Sequence, residues 1–322
     1  MKFLTTNETI NLLKQGEIVA IPTETVYGLA ADARDDDAVA KIFEAKGRPS
    51  DNPLIVHIGD VAQVDELAPA VTKETRILMD TFWPGPLTVI LPSAGTVSNL
   101  VSAGLPTVGI RIPAHPLTLS LLKESGIPLA APSANLSGKP SPTKASHVAA
   151  DLAGKVKGIL DGGICDIGLE STVIDMTTAI PTILRPGEIS KEEIESVIGP
   201  VLVADGSTEK PKAPGMKYAH YAPKAKVHIV DGSYRFLRKT FERYLILGIR
   251  VGVLSDKLIP SKYSYPHLTI KRLENGKNLY NAFREFDDEG VHVILCEYQY
   301  DEAIMNRLMK ASEERVLREV EN

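Results

Sequence analysis

Along residues 1–200, apolar positions come in short bursts broken by Gly and Pro. The bursts at 18–22, 54–58, 87–91, 108–112 and 129–131 predict short buried strands. Further strands are predicted over 158–161, 172–175 and 182–185. Helical spacing appears between them, over 8–15 (with Asn7 as N-cap), 38–45, 73–81, 120–125, 144–152 and 191–198. Residues 201–224 break the pattern: the run from Asp205 to Lys217 is polar and rich in Pro and Gly, a linker composition. Its end, Tyr218-Ala-His-Tyr-Ala-Pro223, is aromatic and contains a histidine, which an idle spacer does not need. From 225 to 322 the alternation returns. Strands are predicted over 226–230, 250–254, 268–273 and 291–296, and helices over 234–245, 278–286 and 301–318, as in a small doubly wound domain. The chain is therefore expected to be α/β, with domains at 1–200 and 225–322 joined by the 201–224 linker.

Composition narrows the function. Net charge is −5, so no global basic field holds nucleic acid, and residues 225–322 carry 16 Lys and Arg against 15 Asp and Glu. The two cysteines, Cys165 and Cys296, form no CxxC pair, which argues against a zinc site or a disulfide framework and fits a reducing cytoplasm. No apolar run approaches membrane-spanning length, and the first residues lack the apolar stretch of a signal peptide.

The richest stretch is Lys46-Gly-Arg-Pro-Ser-Asp-Asn-Pro-Leu-Ile-Val-His57. The prolines at 49 and 53 stop a helix, so Lys46 and Arg48 leave its end and enter a loop. Cations held this close repel unless an anion lies between them, and Arg matches phosphate oxygens in pairs. Alone, a solvated loop explains the segment equally well. Pro22-Thr-Glu-Thr-Val-Tyr-Gly-Leu-Ala30 sets hydroxyls at Thr23, Thr25 and Tyr27 directly after a strand, where α/β sheets bind ligands; a turn with surface threonines is the competing reading. Trp83-Pro-Gly-Pro-Leu-Thr88 reads as a rigid packed turn without chemistry. Arg111 interrupts an apolar strand and must face a carboxylate, a phosphate or water. Ala130-Ala-Pro-Ser-Ala-Asn-Leu-Ser-Gly138 offers close backbone approach plus Ser133 and Asn135, but no Walker A pattern. Ser171 and Thr172 open one strand, and Arg185 closes another. Four cations, short hydroxyls and no defensible nucleophile suit a polyanion and a small polar acid. The acidic run Asp35-Asp36-Asp37 is read as a helix start.

In this order, the Pro-Thr-Glu-Thr-Val-Tyr-Gly-Leu, Lys46-x-Arg48, Trp-Pro-Gly-Pro, Ser133-Ala-Asn135, Ser171-Thr-Val and Leu-Arg185-Pro-Gly segments strongly resemble the YrdC/Sua5 family of threonylcarbamoyl-AMP synthases. The linker and second domain resemble the two-domain Sua5 subtype. The resemblance implies a twisted mixed-sheet YrdC-like domain with a concave basic cavity, plus a small Rossmann-like domain. It implies cytoplasmic synthesis of L-threonylcarbamoyladenylate from L-threonine, bicarbonate and ATP, with Mg²⁺ accompanying the nucleotide. The product would feed the N6-threonylcarbamoyladenosine modification of tRNA through a downstream transferase machinery. By motif position, threonine would contact Thr25, His57, Arg111, the Ala131 backbone and Ser171. ATP would contact Lys46, Arg48, Asn52, Thr107, Ser133, Asn135, Ser141, Arg185 and the linker Tyr221, with Lys46 and Arg48 at the reacting phosphates. An RNA-binding module of the same fold is the main competing class, and a carbamoyl-transfer domain of hydrogenase maturation the second.

Overall fold

A computed structural model describes residues 1–204, 214, 221–257, 265–274 and 276–320. The chain divides into two compact units, residues 1–137 with 141–218, and residues 138–140 with 219–322.

The first unit is a nine-stranded mixed sheet. Its strands are β1 (Val19–Ile21), β2 (Gly28–Asp32), β3 (Ile55–His57), β4 (Leu87–Pro92), β5 (Thr107–Arg111), β6 (Leu129–Ala130), β7 (Thr172–Asp175), β8 (Thr182–Arg185) and β9 (Leu202–Val203), in the order β1-β2-β6-β3-β5-β4-β7-β8-β9. Helices α1 (Thr6–Lys14) and α2 (Asp36–Lys46) lie among those that cover it. The main core gathers Ile18, Tyr27, Leu29, Ile42, Val56, Val89, Ile110 and Ile174, all buried.

Several local expectations are corrected. The cap of α1 is Thr5, not Asn7: Thr5 and Glu8 bond each other's backbone in a capping box, so the helix starts earlier. Residues 158–161 form no strand. Ile159 makes only isolated bridges to Phe3 and Ala20, and Asp161 turns its carboxylate to the Tyr27 hydroxyl at 3.0 Å before Gly162 and Gly163. Strand β2 had no sequence signal. It is Gly-Leu-Ala-Ala-Asp, without a β-branched or aromatic residue, yet it pairs on both sides, with β1 and β6, because small side chains fit under close-packed neighbours.

The second unit holds an all-parallel sheet of β10 (Lys226–Asp231), β11 (Val251–Ser255), β12 (Leu268–Arg272), β13 (Val293–Glu297) and β14 (Val316–Arg318), ordered β12-β11-β13-β10-β14. Its core packs Val230, Leu237, Phe241, Val251, Val253 and Leu295. The closing helix expected over 301–318 stops at Ser312. Glu313 and Glu314 take left-handed backbone (φ 50° and 62°), and the chain re-enters the sheet as β14. Good helix formers there are overridden by an open strand edge on β10. Tyr218 and His220 of the linker lie outside the described residues. No described helix is long and apolar enough to cross a membrane.

Candidate active site

Strand register gathers one end of the first sheet. β3 runs parallel to β5 with His57 opposite Arg111. β4 runs antiparallel to β5 and parallel to β7, pairing Leu87 with Thr172, and Val173 of β7 pairs with Arg185 of β8. Thus the last residues of β3, β5 and β8 meet the first residues of β4 and β7.

Arg111 is 3% exposed. Its Nε donates to the Gly85 carbonyl and its Nη1 to Thr25 Oγ1, both at 3.0 Å, while Nη2 lies 2.5 Å from Glu24 Oε1. Gly85 reaches that position through the tight turn after Trp83, whose indole N–H donates to the Leu87 carbonyl at 2.7 Å. Thr25 is held in turn by Thr23 Oγ1 at 2.8 Å. His57 is buried; burial, then the Arg111 charge, pushes its pKa down to about 3, so the ring is neutral. The Ala131 N–H donates to the Ile55 carbonyl at 3.0 Å, two residues from His57. Ser171 Oγ shares a 2.8 Å hydrogen bond with Thr88 Oγ1 and accepts from Arg185 Nη2 at 3.1 Å. Arg185 also donates from Nε and Nη2 to the Ser171 carbonyl, and from Nη1 to the Pro214 carbonyl.

The second cluster grows from the end of α2. Asp35 caps the helix, Asp36 and Asp37 fill the first turn, and Lys46 fills the last, each sign complementing the helix dipole. Gly47, at φ 61°, ends it. Lys46 is 2% exposed and donates to the carbonyls of Ser133 and Asn135. Burial, then Arg48, lowers its ammonium pKa well below the ordinary range, with Asp151 opposing. Arg48 reaches the carbonyls of Asn52 and Pro53 at 3.3 Å. Asn52 is 1% exposed, and neither side-chain amide atom has a hydrogen-bond partner among the described residues. A buried amide in that state is unfavourable unless something else completes it. The Pro132-to-Asn135 loop lies against β2: Leu29 N–H donates to Pro132, and Ala134 N–H to Tyr27.

On the sheet face lies a small void of about 10 Å³, lined by Ile55, Thr88, Thr107, Gly109, Val173 and Pro214. Thr107 and Gly109 share this face with Arg111 by strand alternation. Ser141 donates to Glu170 at 2.5 Å, beside Ser171. Tyr221 belongs to the second unit. It has left-handed backbone (φ 67°), stacks on Tyr280 with ring centroids 5.3 Å apart, and lies under the Arg307 guanidinium.

Two residues of this site carry no assignment from the sequence. Thr88 belongs to a turn read as structural, although its position at a strand start facing Ser171 makes it part of the polar set. Glu24 sits between two threonines and faces Arg111; a lone carboxylate directly after a buried strand was the available signal.

Residues 11–187 match the Sua5_yciO_yrdC family, described as telomere recombination, and residues 189–313 match the threonylcarbamoyl-AMP synthase C-terminal domain. The chain belongs to the two-domain Sua5 family. It is 52% identical to a threonylcarbamoyl-AMP synthase of Bacillus subtilis over 95% of this chain and 92% of that one. A Schizosaccharomyces pombe protein of the same name is 42% identical over 94% of this chain and 86% of its own length. The crystal structure of Pyrococcus abyssi Sua5 complexed with L-threonine superposes with a TM-score of 0.92 at 43% identity, covering 99% of this chain and 98% of that one. The mixed sheet plus parallel-sheet architecture is thus the Sua5 fold, as the resemblance implied.

Proposed function

We propose that this Sua5-family chain condenses L-threonine, bicarbonate and ATP to L-threonylcarbamoyladenylate, with release of pyrophosphate. The observation that supports this reading is the buried Arg111, which donates to Thr25 and lies opposite His57 in the strand register. Arg111 clamps the threonine carboxylate, with Thr25, neutral His57 and Ser171 offering hydrogen bonds to the remaining polar atoms. Lys46, Arg48 and Arg185 take the triphosphate. Asn52, Ser133, Asn135 and Ser141 supply its neutral hydrogen bonds, and Thr107 contacts the nucleotide from the start of β5. Tyr221 contributes from the linker. This cradle consists of cations, hydroxyls and amides, so Mg²⁺ binds through phosphates and water and neutralises phosphate charge.

The threonine amine and bicarbonate give an N-carboxylate, whose oxygen attacks the α-phosphorus of ATP. No covalent enzyme intermediate is required; the protein positions reactants and stabilises charge on the leaving pyrophosphate. The unstable adenylate then passes to a transferase acting on tRNA. The buried free thiols of Cys165 and Cys296 fit a reducing cytoplasm.

The test is pyrophosphate release from ATP and bicarbonate with and without L-threonine, using L-serine and an Arg48→Ala form as controls. Threonine-dependent release that falls by about 10²–10³-fold in the variant is expected. Release indifferent to threonine refutes the reading.

A further inference from the structure

Glu24 is 6% exposed, and its backbone carbonyl, fixed by the Ile167 N–H at 2.8 Å, anchors it beneath Arg111. The two side chains touch at 2.5 Å as charges, yet neither Glu24 oxygen accepts an aligned hydrogen bond among the described residues, and Arg111 Nη2 donates none. The other Arg111 donors, Nε and Nη1, are engaged by Gly85 and Thr25. A buried carboxylate without hydrogen bonds is costly, and the guanidinium alone does not complete its lone pairs. Glu170 accepts from Ser141, and Asp161 from Tyr27 and Gly163. His57 is neutral and offers no negative charge.

An α-amino acid carries a carboxylate and an ammonium on one carbon. An adjacent guanidinium and carboxylate form the complementary pair: each charge of the zwitterion meets its opposite, and the four alternate in sign. Arg111 alone would leave the ammonium buried and uncompensated. We infer that Glu24 binds the ammonium group of the amino-acid substrate and takes its first proton.

The step balances. One N–H proton moves to the Glu24 carboxylate, leaving a neutral amine. The nitrogen lone pair attacks the bicarbonate carbon, and the C–OH bond breaks as hydroxide leaves with a second nitrogen proton, as water. An N-carboxylate remains, and Glu24 returns its proton to solvent. This inference rests on the functional reading above.

The experiment is calorimetric binding of L-threonine and of (2S,3R)-2,3-dihydroxybutanoate, which replaces the ammonium by hydroxyl, to the full chain and to its Glu24→Gln form. The wild type is expected to prefer threonine by more than tenfold. Glu24→Gln is expected to lose that preference through weaker threonine binding, while the hydroxy acid binds as well or better because Arg111 is released. Pyrophosphate release should fall in the variant even at saturating threonine. Equal affinity of the wild type for the two acids overturns the inference whether or not the variant folds. So does a folded Glu24→Gln form that loses both ligands alike, which would make Glu24 only a prop for Arg111. A wild type that binds neither acid overturns the substrate reading beneath it.

Discussion

At the residue scale, the site works by burying groups that would otherwise be ordinary. His57 shows the consequence most directly. Its folded-state pKa, pushed to about 3, lies below the 6.5 of an exposed imidazole. Between those values the unfolded chain binds a proton that the folded chain refuses, so stability must fall as pH falls. From pH 7 to 5 this one ring should cost about 2 kcal/mol. A His57→Gln form should shed that share of the pH dependence, whatever its own stability at pH 7. Urea unfolding of both forms at the two pH values checks this. An unchanged pH dependence in the variant would mean that the ring titrates normally. The same burial makes Arg111 legible from sequence, because an Arg inside an apolar strand demands a partner. Its partner was not legible: Glu24 is far away along the chain, and nothing in the local pattern of threonines around it specifies which distant strand it will face.

At the element scale, the ends of elements carry the chemistry, and their placement depends on backbone contacts that side-chain patterns do not report. The start of α2 could be read from the acidic run, but its end could not be placed to the residue: Lys46, expected in the loop, fills the last turn before Gly47. Nor could the segment after β8 be read. Gly187 passes so close to β7 that an added Cβ would sit 2.3 Å from the Thr172 nitrogen and 2.6 Å from the Ser171 carbonyl carbon. Both are backbone atoms, so no rotamer relieves the clash. Thr172 Oγ1 reinforces the crossing by donating to Ile189 O and accepting from Ile189 N. Gly187→Ala should therefore move Ser171 and loosen Arg185. We expect a loss of about 1–3 kcal/mol in stability and a disproportionate fall in threonine-dependent turnover. A variant of wild-type melting temperature and activity would show that the crossing is not tight. The Gly after Pro186 thus lets two strand ends share one place. Strand β2 was invisible for a related reason: its small residues are chosen for close packing against Ala131 and Pro132, not for strand propensity.

At the scale of the whole molecule, the alternating patterns on either side of the linker announced two separate cores. Buried clusters of the first unit draw on residues up to Val201, while the second unit builds its own around Val230, Phe241 and Leu295. Cores that share no residues can melt separately. Phe241 is fully buried, and its truncation to Ala should cost about 3–5 kcal/mol, lowering the melting transition of a unit this size by at least about 12 °C. Scanning calorimetry should show that transition move while the other stays. A single transition that shifts as a whole would mean that the units unfold as one. The same variant separates the substrates. Tyr221 is fixed within the second unit by Tyr280 and Arg307, whereas Arg111, His57 and Ser171 are all held by the first sheet. If Tyr221 reaches the nucleotide, loosening its unit should raise the KM for ATP and leave threonine binding intact. Equal loss of both would place the second unit's contribution in the stability of the whole chain rather than in the nucleotide site.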